Sequence, residues 1–436
     1  MLTREVSLCE VAAELRRGER DLADFVNELC DHIDAVEPRV MAYLPEPGRR
    51  GRLQDDAATL LRRWPEPEVR PALFGVPVGI KDVLHTAGFV TRAGAKLPPE
   101  LFAGPEALAV KRLKAAGALI AGRTVTAEFA HAAPGPTRNP HGLDHTPGGS
   151  SSGSAAAVAC GTALLALGTQ TVGSVIRPAA FCGVVGIKPS YDRIPTAGLV
   201  YWSRSADHVG LFAQDVSGAR TAARLLYDVW HDEREVAASA PPAIGVPVGP
   251  YLEQAGPTGL AAFERQLEAI AEAGYTVRRV SALADIAAVA RHHRLLTAAE
   301  AAAEHSEWLA AHEDLYHPST LKSLRRGLAV APADLAAARE SQLELRRRLG
   351  EEMRGAGIEL WACPAAVGPA PHGLESTGNP AMNLPWTHAG LPAVTVPAGT
   401  GPRGLPLGLQ LTAAFGRDEA LLAWAEGIAG VLAGPG

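Results

Sequence analysis

His145–Ser190, HTPGGSSSGSAAAVACGTALLALGTQTVGSVIRPAAFCGVVGIKPS, sets a Gly-Ser turn at each end of one Ala- and Leu-rich run. An ordinary core has no use for so many small polar residues in succession. The pattern predicts two turns brought together over a packed element, with their hydroxyls as the working groups. Gly149-Ser150-Ser151-Ser152-Gly153 also matches the G-x-S-x-G nucleophile elbow. An elbow follows an apolar strand, whereas Asp144-His145-Thr146-Pro147 precede this one, so the match is a decoy.

Outward from this stretch, strand and helix patterns alternate, which points to an α/β fold. Upstream, Ser7-x-x-Glu10 is a capping box, and Leu22, Phe25, Val26, Leu29 and Ile33 share one helical face. These give an antiparallel helical pair closed by Pro38, Pro45, Pro47 and Gly48, then a third helix around 55–63. In Phe74–Leu84, FGVPVGIKDVL, Val76, Val78 and Ile80 alternate with Pro and Gly, so a short buried strand delivers Lys81 at its end. Read alone, that lysine is a surface residue at a strand terminus. A helix over 108–116 and a strand over 118–121 follow.

Downstream, 216–229 reads as helix, and 243–280 as strand, helix and strand. Residues 284–354 are almost entirely helical in pattern, 359–362, 393–396 and 407–411 are strands, and 418–432 is a closing helix. No repeat or linker divides the 436 residues, so one domain over 1–436 is expected. Its parts are N-terminal helices (about 7–63), a core (about 74–230), a helical substrate-side region (about 284–354) and a C-terminal return (about 359–436).

A net charge of −6 disfavours a nucleic-acid or anionic-membrane surface. Arg346, Arg347 and Arg348 lie in a helical pattern beside glutamates, as a solvated face does. Five widely spaced cysteines without C-x-x-C argue against a disulfide framework and a zinc site. Neither a signal peptide nor a spanning helix is read, so a cytoplasmic location is expected. Cys182, in Phe181–Val185, reads as an inert buried thiol.

Three ordered segments carry a resemblance: GVPVGIKD around Lys81, PGGSSSGSAAAVA around Ser150 and GTQTVGSVIRPAAFCGVVGIKPS around Ser174, framed by AGRTVTAEFA, GLPAVTVPAG and GLPLGLQL. With them the chain resembles the amidase signature family over nearly its whole length, least from about 241 to 360. The resemblance implies a single α/β/α layered domain with a mixed central sheet. It also implies a Ser–cis-Ser–Lys triad: Ser174 as nucleophile, Ser150 as the bridging serine after a cis peptide, and Lys81 as base. A serine needs a base to become nucleophilic, and a lysine serves only if burial lowers its pKa from about 10.4. The backbone N–H groups of Thr171, Val172, Gly173 and Ser174 are implied as the oxyanion hole.

Two features depart from the commonest family pattern. Gln170-Thr171-Val172-Gly173-Ser174 stands where many members have Asp-Thr-Gly-Gly-Ser, and Trp386-Thr387 precedes Gly390-Leu391-Pro392. Both are similar to the malonamidase branch of small-molecule amidases, in which the arginine at the position of Arg177 is associated with a substrate carboxylate. Arg177 is therefore either a carboxylate contact or a tie between loops. Val172 is either strained, if its backbone needs positive φ, or a side chain that narrows the acyl pocket. Gln170 and Phe129 are further expected substrate contacts, while His131 and Asp207 read as structural.

The implied activity is hydrolysis of a small-molecule amide or related C–N bond, with no metal or organic cofactor and possibly as a homodimer. The alternatives are an ammonia-supplying amidotransferase A-type subunit acting in a tRNA-dependent complex and an amide-forming acyltransferase.

Overall fold

Among the described residues ten strands make one mixed sheet: β1 (Pro77–Lys81), β2 (Leu119–Thr124), β3 (Leu165–Gln170), β4 (Val185–Lys188), β5 (His208–Ala213), β6 (Ile244–Val248), β7 (Val277–Ser281), β8 (Leu360–Pro364), β9 (Ala393–Thr400) and β10 (Pro406–Ala413). Their order across the sheet is β2-β1-β3-β5-β4-β9-β10-β8-β6-β7. Strands pair in parallel at both ends, β2-β1-β3 and β8-β6-β7, and antiparallel between them. The computed structural model describes residues 2–236 and 240–434. Helices flank the sheet, giving the expected single α/β/α layered domain.

Every residue of β1 is buried, as are all of β2 and β3 on either side of it. Strands covered on both faces become continuous apolar runs, and so Val78 and Ile80 are fully enclosed. The helix Ser152–Ala159 packs on β3, and its eight residues are all buried. Their small side chains let it lie close to the sheet. At Gly153 an added Cβ would come within 2.1 Å of the Ala42 carbonyl. The cassette's Ala-rich run is thus a packing element that seats both turns, as expected.

Some local expectations fail for identifiable reasons. Pro38 does not stop its helix, which runs Leu22–Val40, because a proline in the last turn removes only one hydrogen bond. The main contacts of the N-terminal helices also differ: Leu22–Val40 packs on Arg49–Arg63, and Leu8–Arg17 on Val216–Leu226. The third helix begins at Arg49, before the expected 55, and Val216–Leu226 ends three residues short of 229. Residues 286–356 form four α-helices, Ile286–Glu304, Ser306–His312, Pro318–Leu328 and Pro332–Ala356, the first packed on the last two. No helix among the described residues is long and apolar enough to cross a membrane.

Candidate active site

Lys81 ends β1 with its whole side chain buried. Its Nζ lies 2.8 Å from Ser150 Oγ, 2.7 Å from Thr169 Oγ1 and 3.3 Å from the Thr169 carbonyl oxygen. Burial holds its pKa well below the usual lysine value, and the charge of Asp207 offsets this only in part. The surface-lysine reading is excluded. Next to it, Asp82 forms a buried ion pair of 3.0 Å with Arg123 at the end of β2, which fixes where β1 stops.

The Gly149–Ser150 peptide is cis, as the resemblance implied. Ser150 and Ser151 are fully buried, and Ser151 Oγ bridges to β3 by donating to the Thr169 carbonyl and accepting from the Thr169 N–H. Ser174 lies in the second turn, 7% exposed, on the wall of a cavity of about 420 Å³. Thr171, Val172 and Arg177 line the same cavity, which continues to Trp202 and His293.

The turn from Thr171 to Ser174 is held on all sides by its carbonyls and side chains. Thr171 Oγ1 donates to Asp207 Oδ1 at 2.5 Å, and the Thr171 carbonyl lies 3.0 Å from His293 Nε2. Thr387 Oγ1 donates to the Val172 carbonyl at 2.7 Å, and the Arg177 N–H to that of Gly173 at 3.0 Å. By contrast, the N–H groups of Val172, Gly173 and Ser174 find no acceptor among the described residues. Gly173 is required for space: a Cβ there would sit 2.4 Å from Asn383 Oδ1. Val172 is not among the residues with positive φ, which removes the strained reading, and it lines the cavity.

Arg177 fits both of its readings. Its Nη2 donates to the Gly149 carbonyl at 2.6 Å and to Thr377 Oγ1 at 3.1 Å, tying the two turns together. Its Nε and Nη1 are buried without a partner among the described residues, and desolvation pulls its pKa down to about 10. Gln170 is placed differently from the expectation of a substrate contact. Its Oε1 accepts from the Val175 and Ile176 N–H groups at 2.8 and 3.0 Å, and its Nε2 donates to Thr387 Oγ1 at 2.9 Å. Its amide is spent inside the protein, capping the helix Ile176–Cys182. The two sequence departures, Gln170 and Thr387, therefore touch across 217 residues of chain.

Phe129 is wholly buried among Phe102, His305, Trp308 and Tyr316, while the next residues, Ala130 and His131, line the cavity. His131 stacks on Trp202 with 4.1 Å between ring centroids and lies 2.7 Å from Ser323 Oγ. Asp207 accepts from Thr171 and from the Trp202 and Ser203 N–H groups, and burial raises its pKa to about 6. Cys182 is a buried thiol whose pKa burial pushes well above 9.0. Among the described residues no group of three His, Cys, Asp or Glu could hold a metal ion.

Ile286–Glu304, in the region expected on the substrate side, brings Ile286, Ala290, His293, Arg294 and Thr297 to the cavity, none of which sequence reasoning named. Their i, i+3, i+4 spacing marks one helix face. No sequence feature tells which face meets the site.

The family model for Amidase matches residues 24–422. The A subunit of glutamyl-tRNA(Gln) amidotransferase from Koribacter versatilis is 30% identical, the alignment covering 92% of this chain and 93% of the relative. The same subunit from Roseiflexus sp. (strain RS-1) is 31% identical over 97% of this chain and 95% of its own. Among solved structures, one described as an amidase superposes with a TM-score of 0.87 at 31% identity, covering 98% of this chain and 100% of its own. The peptide amidase of Stenotrophomonas maltophilia gives a TM-score of 0.82 at 25% identity, covering 98% and 97%.

Proposed function

The chain belongs to the amidase family, and we propose that this member hydrolyses a small carboxylate-bearing amide through an acyl-Ser174 intermediate. The observation that carries the proposal is the buried Lys81 amine, 2.8 Å from Ser150 Oγ and held below its usual pKa by desolvation. A neutral amine there donates to Thr169 and accepts the Ser150 proton.

Ser150 in turn takes the proton of Ser174 as its Oγ bonds to the amide carbon. The oxyanion of the tetrahedral intermediate is received by the unpartnered N–H groups of Val172, Gly173 and Ser174, in the turn headed by Thr171. The C–N bond breaks as the proton returns from Lys81 through Ser150 to the departing nitrogen. Water repeats the relay in the opposite sense and releases the acid. The free Nε–H and Nη1–H of Arg177 support a carboxylate on the substrate, because a buried guanidinium with two unused donors is costly until an anion meets it. Val172 limits the acyl side to a small group.

The test is ammonia release from monoamides of short dicarboxylic acids against simple amides of equal length, with Ser174→Ala as control. Faster turnover of the carboxylated set, lost in the variant, is expected. Equal turnover of both sets contradicts the role of Arg177, and release that survives Ser174→Ala contradicts the nucleophile.

A second reading is favoured by the amidotransferase A subunits among its relatives: a subunit that frees ammonia for a partner enzyme. Hydrolysis of glutamine that appears only when partner subunits are added supports it, and turnover of carboxylated amides by the isolated chain opposes it.

A further inference from the structure

We infer that His293 and His388 are positioning residues for the oxyanion turn: a buried chain of hydrogen bonds from the helical region aims the N–H groups beside Ser174. The inference rests on the acyl-Ser174 reading above.

The chain runs from the Thr171 carbonyl to His293 Nε2 at 3.0 Å, from His293 Nδ1 to His388 Nδ1 at 3.2 Å, and from His388 Nε2 to Ser341 Oγ at 2.8 Å. Its proton order follows from one end. The Thr171 carbonyl only accepts, so His293 carries its proton on Nε2. His293 Nδ1 is then an acceptor, so His388 donates from Nδ1 and accepts at Nε2, and the Ser341 hydroxyl donates to it. Ser341 Oγ also lies 2.8 Å from the Ala338 carbonyl, which as a helix-interior group already has the i+4 N–H as a donor. One arrangement of neutral groups therefore satisfies the three links from Thr171 to Ser341, the single Ser341 proton going to His388 and the Ala338 carbonyl keeping its helix N–H. Burial favours that neutral state, holding His293 at about 4 and His388 at about 2.

The consequence for the turn is geometric. In a trans peptide the N–H points opposite to the preceding carbonyl. Pinning the Thr171 carbonyl to His293 turns the Val172 N–H the other way. Pinning the Val172 carbonyl to Thr387 does the same for the Gly173 N–H. Both are among the N–H groups left without acceptors among the described residues. His388 and Thr387 share the short helix Leu384–His388, so one element grips both peptide planes. His293 comes from Ile286–Glu304 and Ser341 from Pro332–Ala356, which gives the helical region a direct line to the reacting centre. Both imidazoles are buried, 1% and 0% exposed, and the arrangement adds no charge to the site.

The test uses p-nitrophenyl acetate, whose leaving group needs no proton, so its turnover reads the oxyanion hole. Removing one oxyanion donor outright costs about 10²–10³ in kcat, so a donor left in place but loosely aimed should cost less. His293→Ala is expected to lower kcat about 30-fold with KM within about 2-fold. His293→Gln, whose amide N–H can reach the Thr171 carbonyl, should recover kcat to within about 5-fold of the parent. Ser341→Ala, at the half-buried far end, should cost only about 2- to 3-fold, and replaces His293→Ala as the test if that variant does not fold. A kcat unchanged in His293→Ala, or a Gln variant no better than Ala at equal melting temperature, overturns the inference. Neither result touches the nucleophile, since Ser174→Ala in the same assay reports on that separately.

Discussion

The two walls of the cavity are built on opposite principles. The cassette wall, from β1, β3 and the two Gly-Ser turns, uses short residues and backbone groups, and most of its polar atoms are paired inside the protein; Ser174 Oγ, the N–H groups beside it and two guanidinium nitrogens of Arg177 have no partner among the described residues. The helical wall presents side chains of Ile286–Glu304, and that helix is tied down by buried polar contacts, among them Glu300, which accepts from Ser203, Ser205 and Arg339. The first wall is arranged so that reactive groups have nowhere else to go. The second lines the cavity with side chains and meets the turn before Ser174 through His293 at the Thr171 carbonyl.

Lys81→Met should give the largest effect. It removes the base while keeping an apolar side chain of similar length, and should lower kcat/KM by about 10³-fold or more. The parent's rate should rise with pH as Lys81 loses its proton, with that rise centred below 10.5 because burial lowers the pKa. Stability gives an independent reading with a definite sign. Between its lowered folded pKa and 10.5 the unfolded chain binds a proton that the folded chain does not, so stability rises with pH across that window. Lys81→Met abolishes this rise and should melt higher than the parent at neutral pH, measurable by calorimetry at several pH values. A variant that melts lower there contradicts the desolvated amine.

Arg177→Gln is expected to come next. It keeps one donor for the Gly149 carbonyl but removes the free Nε and Nη1, and should raise KM for carboxylated amides about 10²-fold while sparing uncharged ones. Equal losses on both substrate sets assign Arg177 to tying the turns alone. Val172→Gly should relax acyl-size selection by about 10-fold for one added methylene or two. A substrate profile that does not change removes Val172 from the acyl pocket.

Glu300→Ala should have the smallest effect on turnover and act on stability instead. Desolvation alone would raise the Glu300 pKa, but bonds from Ser205, Ser203 and Arg339 hold it below the usual 4.5. Its contribution is present above about pH 4.5 and lost as pH falls through the lowered value. Removing it leaves buried donors unpaired and should cost about 2 kcal/mol, seen as a lower melting temperature at neutral pH. A kcat loss rivalling that of Lys81→Met breaks the contrast between the walls.

That contrast also explains what could be read from the sequence. Lys81, Ser150 and Ser174 are marked out by the family resemblance, since Lys81 read alone is a surface residue; the residues themselves show only an apolar strand before the lysine and a small-residue run between two Gly-Ser turns. β1, β2 and the later strands were visible as apolar runs. β3, β4 and β5 went unassigned, since β3 lies inside a Leu- and Ala-rich run that alternates no more than a buried helix does. Gln170 was singled out, but its partners, Thr387 and the Val175 and Ile176 N–H groups, are set by tertiary packing and made it a cap rather than a contact. Phe129 was drawn into an aromatic cluster by residues almost 180 positions away. His293 and His388, 95 residues apart, are ordinary helix residues until the fold joins them.

The most direct test is covalent capture of the nucleophile. Incubation with an alkyl fluorophosphonate followed by intact-mass and peptide mapping should give one adduct per chain, on the peptide containing Ser174, absent in Ser174→Ala and strongly slowed in Lys81→Met. A single adduct on any other residue, or labelling of Ser174→Ala at the parent's rate, contradicts the account.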